Sequence, residues 1–177
     1  MKKRKAGVLF AVAMLIVLFT GCVDDGIRTF TKDLAKDAED YRATVGYQKG
    51  TENEDGTVTY AFQKEELKDL KERYNADIQK KADEITKSKG RIESIKVIVF
   101  SKDFGQIDVY VDEKAFNLFD VAYVLPFLRT SAFMQVLNGK KASEVNPMLN
   151  VIIVDTKECI SSTTYQKIFG EEEKKAD

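Results

Sequence analysis

The stretch from Phe116 to Leu137 constrains this chain most. It carries Phe116, Leu118, Phe119, Val121, Tyr123, Val124, Leu125, Phe127, Leu128, Phe133, Met134, Val136 and Leu137 within two dozen positions. A helix that is apolar almost all round has to be enclosed by the rest of its domain. Asp120, Arg129 and Pro126 exclude a membrane span, and the proline removes a backbone donor, so the segment should kink there or split into two helices. Asp112 is placed to cap its start, and Asn138-Gly139 closes it. Aromatic side chains that such a helix pair leaves uncovered would form a contact surface; Phe116, Phe119, Tyr123 and Phe127 are the candidate interaction patch.

The enclosing structure is legible from periodicity. Ile27, Phe30, Leu34, Ala38, Tyr41 and Val45 recur every three or four residues, which predicts a first helix with Asp24 or Asp25 capping it. Gly46 to Gly56 is polar and ends in the tight-turn pair Asp55-Gly56, and Thr57 to Phe62 alternates as a strand does. Lys64 to Lys87 predicts a long helix with Leu67, Leu70, Tyr74, Ile78, Ala82 and Ile85 inward and a solvated charged face. Ile92–Phe100 and Gln106–Asp112 flank a short turn and predict an antiparallel hairpin. Its buried parity would be Ile95, Val97 and Val99 on one arm and Ile107, Val109 and Val111 on the other. Val151 to Val154 is a buried strand, and Cys159 to Tyr165 leans toward another. This order predicts an α+β domain, an antiparallel sheet of about four or five strands with helices packed on one face.

The first two dozen residues have a separate logic. Lys2, Lys3, Arg4 and Lys5 precede an uncharged run from Ala6 to Val23, in which Phe19-Thr20-Gly21-Cys22 marks the end of the apolar part. This arrangement resembles a bacterial lipoprotein signal peptide, with Phe19 standing where the family usually has Leu or another aliphatic residue. The resemblance implies cleavage between Gly21 and Cys22, with Cys22 becoming an N-palmitoyl, S-diacylglycerol cysteine. An uncleaved membrane anchor is the main competing reading, since 18 uncharged residues lie at the lower edge of a span; an ordinary secretory signal is the other. Two acyl chains contribute well over ~20 kcal/mol as an upper bound, which is permanent attachment. The expected organisation is a signal peptide over 1–21, a lipidated tether over 22–26, one globular domain over 27–170 and a charged frayed tail over 171–177.

Composition narrows the function classes. Without residues 1–21 the chain has 24 basic and 29 acidic residues, which argues against nucleic acid as a partner. There is no histidine, so His-dependent nucleophilic catalysis and His-ligated metal sites are excluded. No phosphate-cradling glycine loop occurs, and no serine stands three residues before a lysine. Aligning Gly56 with the invariant glycine of a calcium loop puts Thr51 and Phe62 where oxygen ligands belong, so the acidic loop reads as a solvated turn. With Cys22 lipidated, Cys159 is expected to be a small buried hydrophobe. No catalytic residue, cofactor or metal is assigned. The expectation is a noncatalytic, lipid-anchored accessory protein on the extracytoplasmic face of a bacterial membrane. Its partners would be the membrane, through the anchor, and a membrane or envelope protein. Lysine far outnumbers arginine, which favours a Gram-positive source. A small-ligand-binding lipoprotein and a plasmid or phage exclusion factor are the alternatives.

Overall fold

The computed structural model describes residues 26–45, 50–87 and 91–173. Its first element is a strand, not the expected helix. Gly26 adopts φ +72°, and its carbonyl accepts the Phe62 amide at 2.9 Å; a Cβ there would lie 2.1 Å from the Phe62 oxygen. That close approach starts β1 (Ile27–Phe30), which pairs antiparallel with β3 (Val58–Ala61), Phe30 opposite Val58. The helix α1 begins only at Lys32 and runs to Val45. Thr31 starts it: its carbonyl accepts the Ala35 amide and its hydroxyl meets the Leu34 amide at 3.5 Å. Ile27 and Phe30 stand three apart, a spacing that helix and strand edge both tolerate, and cross-strand pairing decides between them. Asp24 and Asp25 lie outside the described residues.

The short strand β2 (Thr51–Glu52) completes a sheet of order β1-β3-β2, and Asp55-Gly56 forms the turn, with Gly56 at φ +77°. Helix α2 (Lys64–Lys87) matches its expected span and buries Leu67, Leu70, Ile78 and Ala82. The hairpin of β4 (Ile95–Phe100) and β5 (Gln106–Val111) is present, but a bulge between Ile95 and Val97 reverses the parity of β4. Ile95 stays buried while Val97 and Val99 turn outward, 49% and 46% exposed. An inserted residue is invisible to a period-two reading, which is why Val97 and Val99 were expected inward.

The apolar segment splits at its proline. Leu118–Tyr123 is a 3-10 turn, and α3 (Pro126–Leu137) follows with nine of its twelve residues buried. The chain then returns as β6 (Met148–Ile153), parallel to β5, because so long a connection can carry it back to the same end of the sheet. β7 (Cys159–Thr164) pairs antiparallel with β6, giving the order β4-β5-β6-β7. Helix α4 (Tyr165–Glu173) runs into the segment expected to be a tail. The α+β class holds; its strands are divided between two sheets, and one pairing is parallel where the pattern suggested antiparallel throughout.

One apolar cluster joins both sheets with α1, α2 and α3. Phe133 of α3 stacks on Phe30 (5.2 Å) and on Tyr74 (4.4 Å between centroids). Arg28 of β1 donates from Nε to the Leu137 carbonyl at 2.9 Å, capping the negative end of α3. Beneath the smaller sheet Arg42 and Glu66 form a buried ion pair at 3.7 Å, with the guanidinium 4.9 Å from the Phe62 ring centre.

Candidate interaction surface

The 3-10 turn puts large apolar side chains into solvent on a hydrogen-bonded backbone. Asn117 is extended (φ −129°, ψ 158°), and its side-chain oxygen accepts the Phe119 amide at 2.9 Å. Asp120 points the other way, into the protein, where it is 8% exposed. Its carboxylate accepts from the Ser94 hydroxyl at 2.6 Å, from the Asn117 amide at 3.1 Å and from the Asn117 side-chain nitrogen at 3.0 Å. A buried carboxylate needs such donors to replace water; the two from Asn117 close the turn on itself and the one from Ser94 ties it to the entry of β4. Leu118 and Phe119, between the two polar anchors, are turned outward, and Tyr123 at the end of the turn is exposed as well. Leu118 is 76% exposed, Phe119 86% and Tyr123 56%. Each large side chain left in water forgoes roughly 1.5–3 kcal/mol of burial.

The four residues expected to form the patch are thus divided. Phe119 and Tyr123 are on the surface. Phe116 is half-buried against the core. Phe127 is buried, its ring edge-on to Phe100 at 5.3 Å, because Pro126 restarts the helix with Phe127 turned inward. It is removed from the patch, and Leu118, which the hydropathy pattern assigned to the core, takes its place. The signal that could have found Leu118 is the Asn117…Asp120 spacing, a capping pair that marks a short turn within an apolar run.

Other exposed features are distinct from this turn. Cys159 is a free, exposed thiol at the start of β7, not the buried hydrophobe expected of it, because β7 is an edge strand with most of its side chains in solvent. Asp55 accepts from the Thr57 amide and hydroxyl at 3.0 and 2.6 Å, so the acidic loop binds itself. Those two bonds hold the Asp55 carboxyl below the ordinary range. A cleft of about 340 Å³ lies where Arg28 and Thr29 face Lys140, Lys141 and Ser143. Between the larger sheet and α3, Ile107, Val109, Leu128 and Ala132 pack at no more than 1% exposure, and beside them a cleft of about 420 Å³ is lined by Phe100, Phe104, Met134 and Asn138 together with Lys71 and Glu72 of α2.

Asp33, Asp37 and Arg129 form a charged cluster. Arg129 binds Asp33 at 2.5 Å and Asp37 at 3.2 Å, and Tyr165 donates to Asp33 at 3.2 Å. Burial raises the Asp37 carboxyl above its ordinary value while the Arg129 charge pulls it down. The cluster ties α1, α3 and α4 together, which is sufficient reason for it. Among the described residues no group of three or more acidic, Cys or His side chains could hold a metal, and no helix is long and apolar enough to cross a membrane. Gly21 and Cys22 lie outside the described residues. Comparison of the chain with protein-family models, curated proteins and solved structures finds no match.

Proposed function

We propose that this protein is a noncatalytic accessory lipoprotein, held by Cys22 on the extracytoplasmic face of a bacterial membrane, and that it presents Leu118, Phe119 and Tyr123 to a membrane or envelope protein. The observation carrying this reading is the pairing of extreme exposure with rigidity. A mobile loop can fold its apolar residues away, whereas the Asn117–Asp120 bonds keep Phe119 in water until a partner covers it. Aromatic and aliphatic side chains projecting from a hydrogen-bonded backbone are suited to fill pockets on partner proteins, because the backbone that carries them needs no ordering on docking. The leader, with Gly21 and Cys22 at its end, supports the location.

A photo-reactive amino acid at position 119 in native cells tests the contact. The expected result is one discrete protein adduct, absent when the same group stands at the solvent-facing Lys80. Equal, diffuse labelling from both sites overturns the protein-contact reading. Replacing Cys22 by Ala should release the domain from the membrane fraction and block precursor processing, and unchanged retention overturns the anchor. The cleft lined by Lys140 and Lys141, with Asp55 as its one acidic group and Arg28 already donating to the Leu137 and Ile27 carbonyls, supports a second reading, a small anionic ligand held by the two lysines. Saturable binding of such a ligand, lost on replacing Lys140 and Lys141, would establish it.

A further inference from the structure

The two edges of the four-stranded sheet are unlike. β4 carries Lys96 and a bulge, two devices that stop a sheet from growing. β7 reads Cys-Ile-Ser-Ser-Thr-Thr, with no charge and no proline. Its bulge, between the pairs Val151/Ser161 and Ile152/Cys159, leaves Ser161 to Thr164 regular. The Tyr165 amide donates back toward β6, to the Pro147 carbonyl at 2.9 Å. Backbone groups alternate sides along a strand, so those of Ser162 and Thr164 point away from the sheet. No described strand pairs with them.

We propose that β7 pairs antiparallel with β7 of a second copy of this chain, with Thr163 on the two-fold axis. Three features select that register. Ser162 falls opposite the partner's Thr164, which joins outward-facing backbone groups in both hydrogen-bonded pairs. The side chains on that face already form a directed ladder. The Asp108 carboxylate can only accept, so it receives the Asn150 amide group at 2.9 Å, and the Asn150 oxygen then receives the Ser162 proton at 2.9 Å. Ser162 is left with lone pairs at the exposed edge, where it can accept from a donor on a facing strand. Thr164 accepts the Lys167 amide at 3.4 Å and retains its own proton for that role. On the opposite face the Thr163 hydroxyl is buried without a hydrogen-bond partner. At a Thr163 pair, a non-hydrogen-bonded site with Cα atoms about 4.5 Å apart, a χ1 rotation lets the two hydroxyls satisfy each other.

A copy of the same neutral strand meets no repulsion along this edge, whereas a charged peptide would leave its charges unmatched. So short a pairing buries far less than the roughly 1,200 Å² of a stable interface. The dimer is therefore weak in dilute solution and calls for covalent trapping.

The test uses the full-length chain with Cys22 and Cys159 replaced by Ser, so that one introduced cysteine is the single thiol. Thr163→Cys places two sulfurs within disulfide reach. Ser161→Cys leaves its pair four residues out of register, about 13 Å apart. Under mild oxidation the 163 variant should form a covalent dimer at least ~10-fold faster than the 161 variant. Adding Thr164→Pro removes an outward N–H that β6 does not use, and should abolish the dimer while the far-UV spectrum and melting temperature stay unchanged. If the proline disturbs the fold, Ser162→Lys serves instead, blocking the edge by like charge. Equal rates at 161 and 163, no dimer at 163, or a dimer indifferent to both edge-blocking changes would overturn the proposal.

Discussion

Residues 118–123 and 126–137 read alike in sequence and have opposite fates. Both are dominated by large apolar side chains, and each contains one charged residue. In α3 nine of twelve residues are buried, and the charge, Arg129, lies at the margin, answered by Asp33 and Asp37. In the 3-10 turn the arrangement is inverted: the charge, Asp120, is buried, Leu118, Phe119 and Tyr123 are outside, and Val121 alone of the large hydrophobes is partly buried. What separates them is hydrogen bonding. Asp120 finds three donors in Ser94 and Asn117, and sinking that carboxylate turns its neighbours toward solvent. A carboxylate held by three donors fixes which way a short turn faces, and the apolar side chains on the turn's other side follow its backbone into solvent.

The largest effect should come from the buried side of this comparison. Phe133→Ala removes a ring that stacks on both Phe30 and Tyr74 and joins α3 to β1 and α2. Chemical denaturation should register a loss of about 3–5 kcal/mol. A loss below ~1 kcal/mol would mean that α3 is not the centre of the core.

The hinge between the two regions comes next. Asp120→Ala leaves the Ser94 hydroxyl and the Asn117 amide without their acceptor, at a cost of about 1–3 kcal/mol. It should also speed hydrogen exchange at the Phe119 amide, whose acceptor Asn117 is held by Asp120. Unchanged exchange there would separate the rigidity of the turn from its buried carboxylate.

Arg129 tests the other charge through pH. The folded Asp37 carboxyl is raised above 3.8 by burial, against the pull of Arg129. A carboxyl raised by folding binds its proton more tightly in the native state, so stability falls as pH rises through the folded value and recovers on acidification. Arg129→Met removes the opposing pull and leaves the Asp33 charge beside Asp37. The variant should therefore gain more stability than the parent as pH is lowered through its raised Asp37 value toward the ordinary carboxylate range, in thermal melts at matched ionic strength. A variant whose stability falls with acid more steeply than the parent's would show that Arg129 is not what restrains Asp37.

How far these fates could be read in advance depended on whether a local pattern had a competitor. Lys64–Lys87 was legible because its stripe of Leu67, Leu70, Ile78 and Ala82 fits a single period. Pro126 marked a break that the backbone has to make there. Ile27 and Phe30 fitted two periods, and pairing with Val58–Ala61 some thirty residues away chose between them. The bulge that exposes Val97 and Val99 adds one residue to a strand and leaves its composition untouched. Hydropathy does not distinguish Phe116, Phe119, Tyr123 and Phe127, of which only Phe119 and Tyr123 are on the surface. Leu118 and Phe127 were misplaced because which side of the apolar run faces solvent is set by Asp120 and its partners, including Ser94 on a distant element.

The smallest stability effect should come from the exposed side, and it is the most informative one. Leu118→Ser with Phe119→Ser changes two side chains that are 76% and 86% in water, so folding neither buries them nor depends on them. Denaturation should move by no more than about 0.5 kcal/mol, the range of ordinary surface substitutions. A photo-reactive group at Tyr123, 56% exposed on the same turn, should nevertheless lose its protein adduct in cells. Stability and contact are then carried by different halves of one apolar run. If instead the double variant unfolds as readily as Phe133→Ala, the turn is a displaced piece of the core. If it keeps both its stability and its adduct, the partner is held elsewhere on the surface.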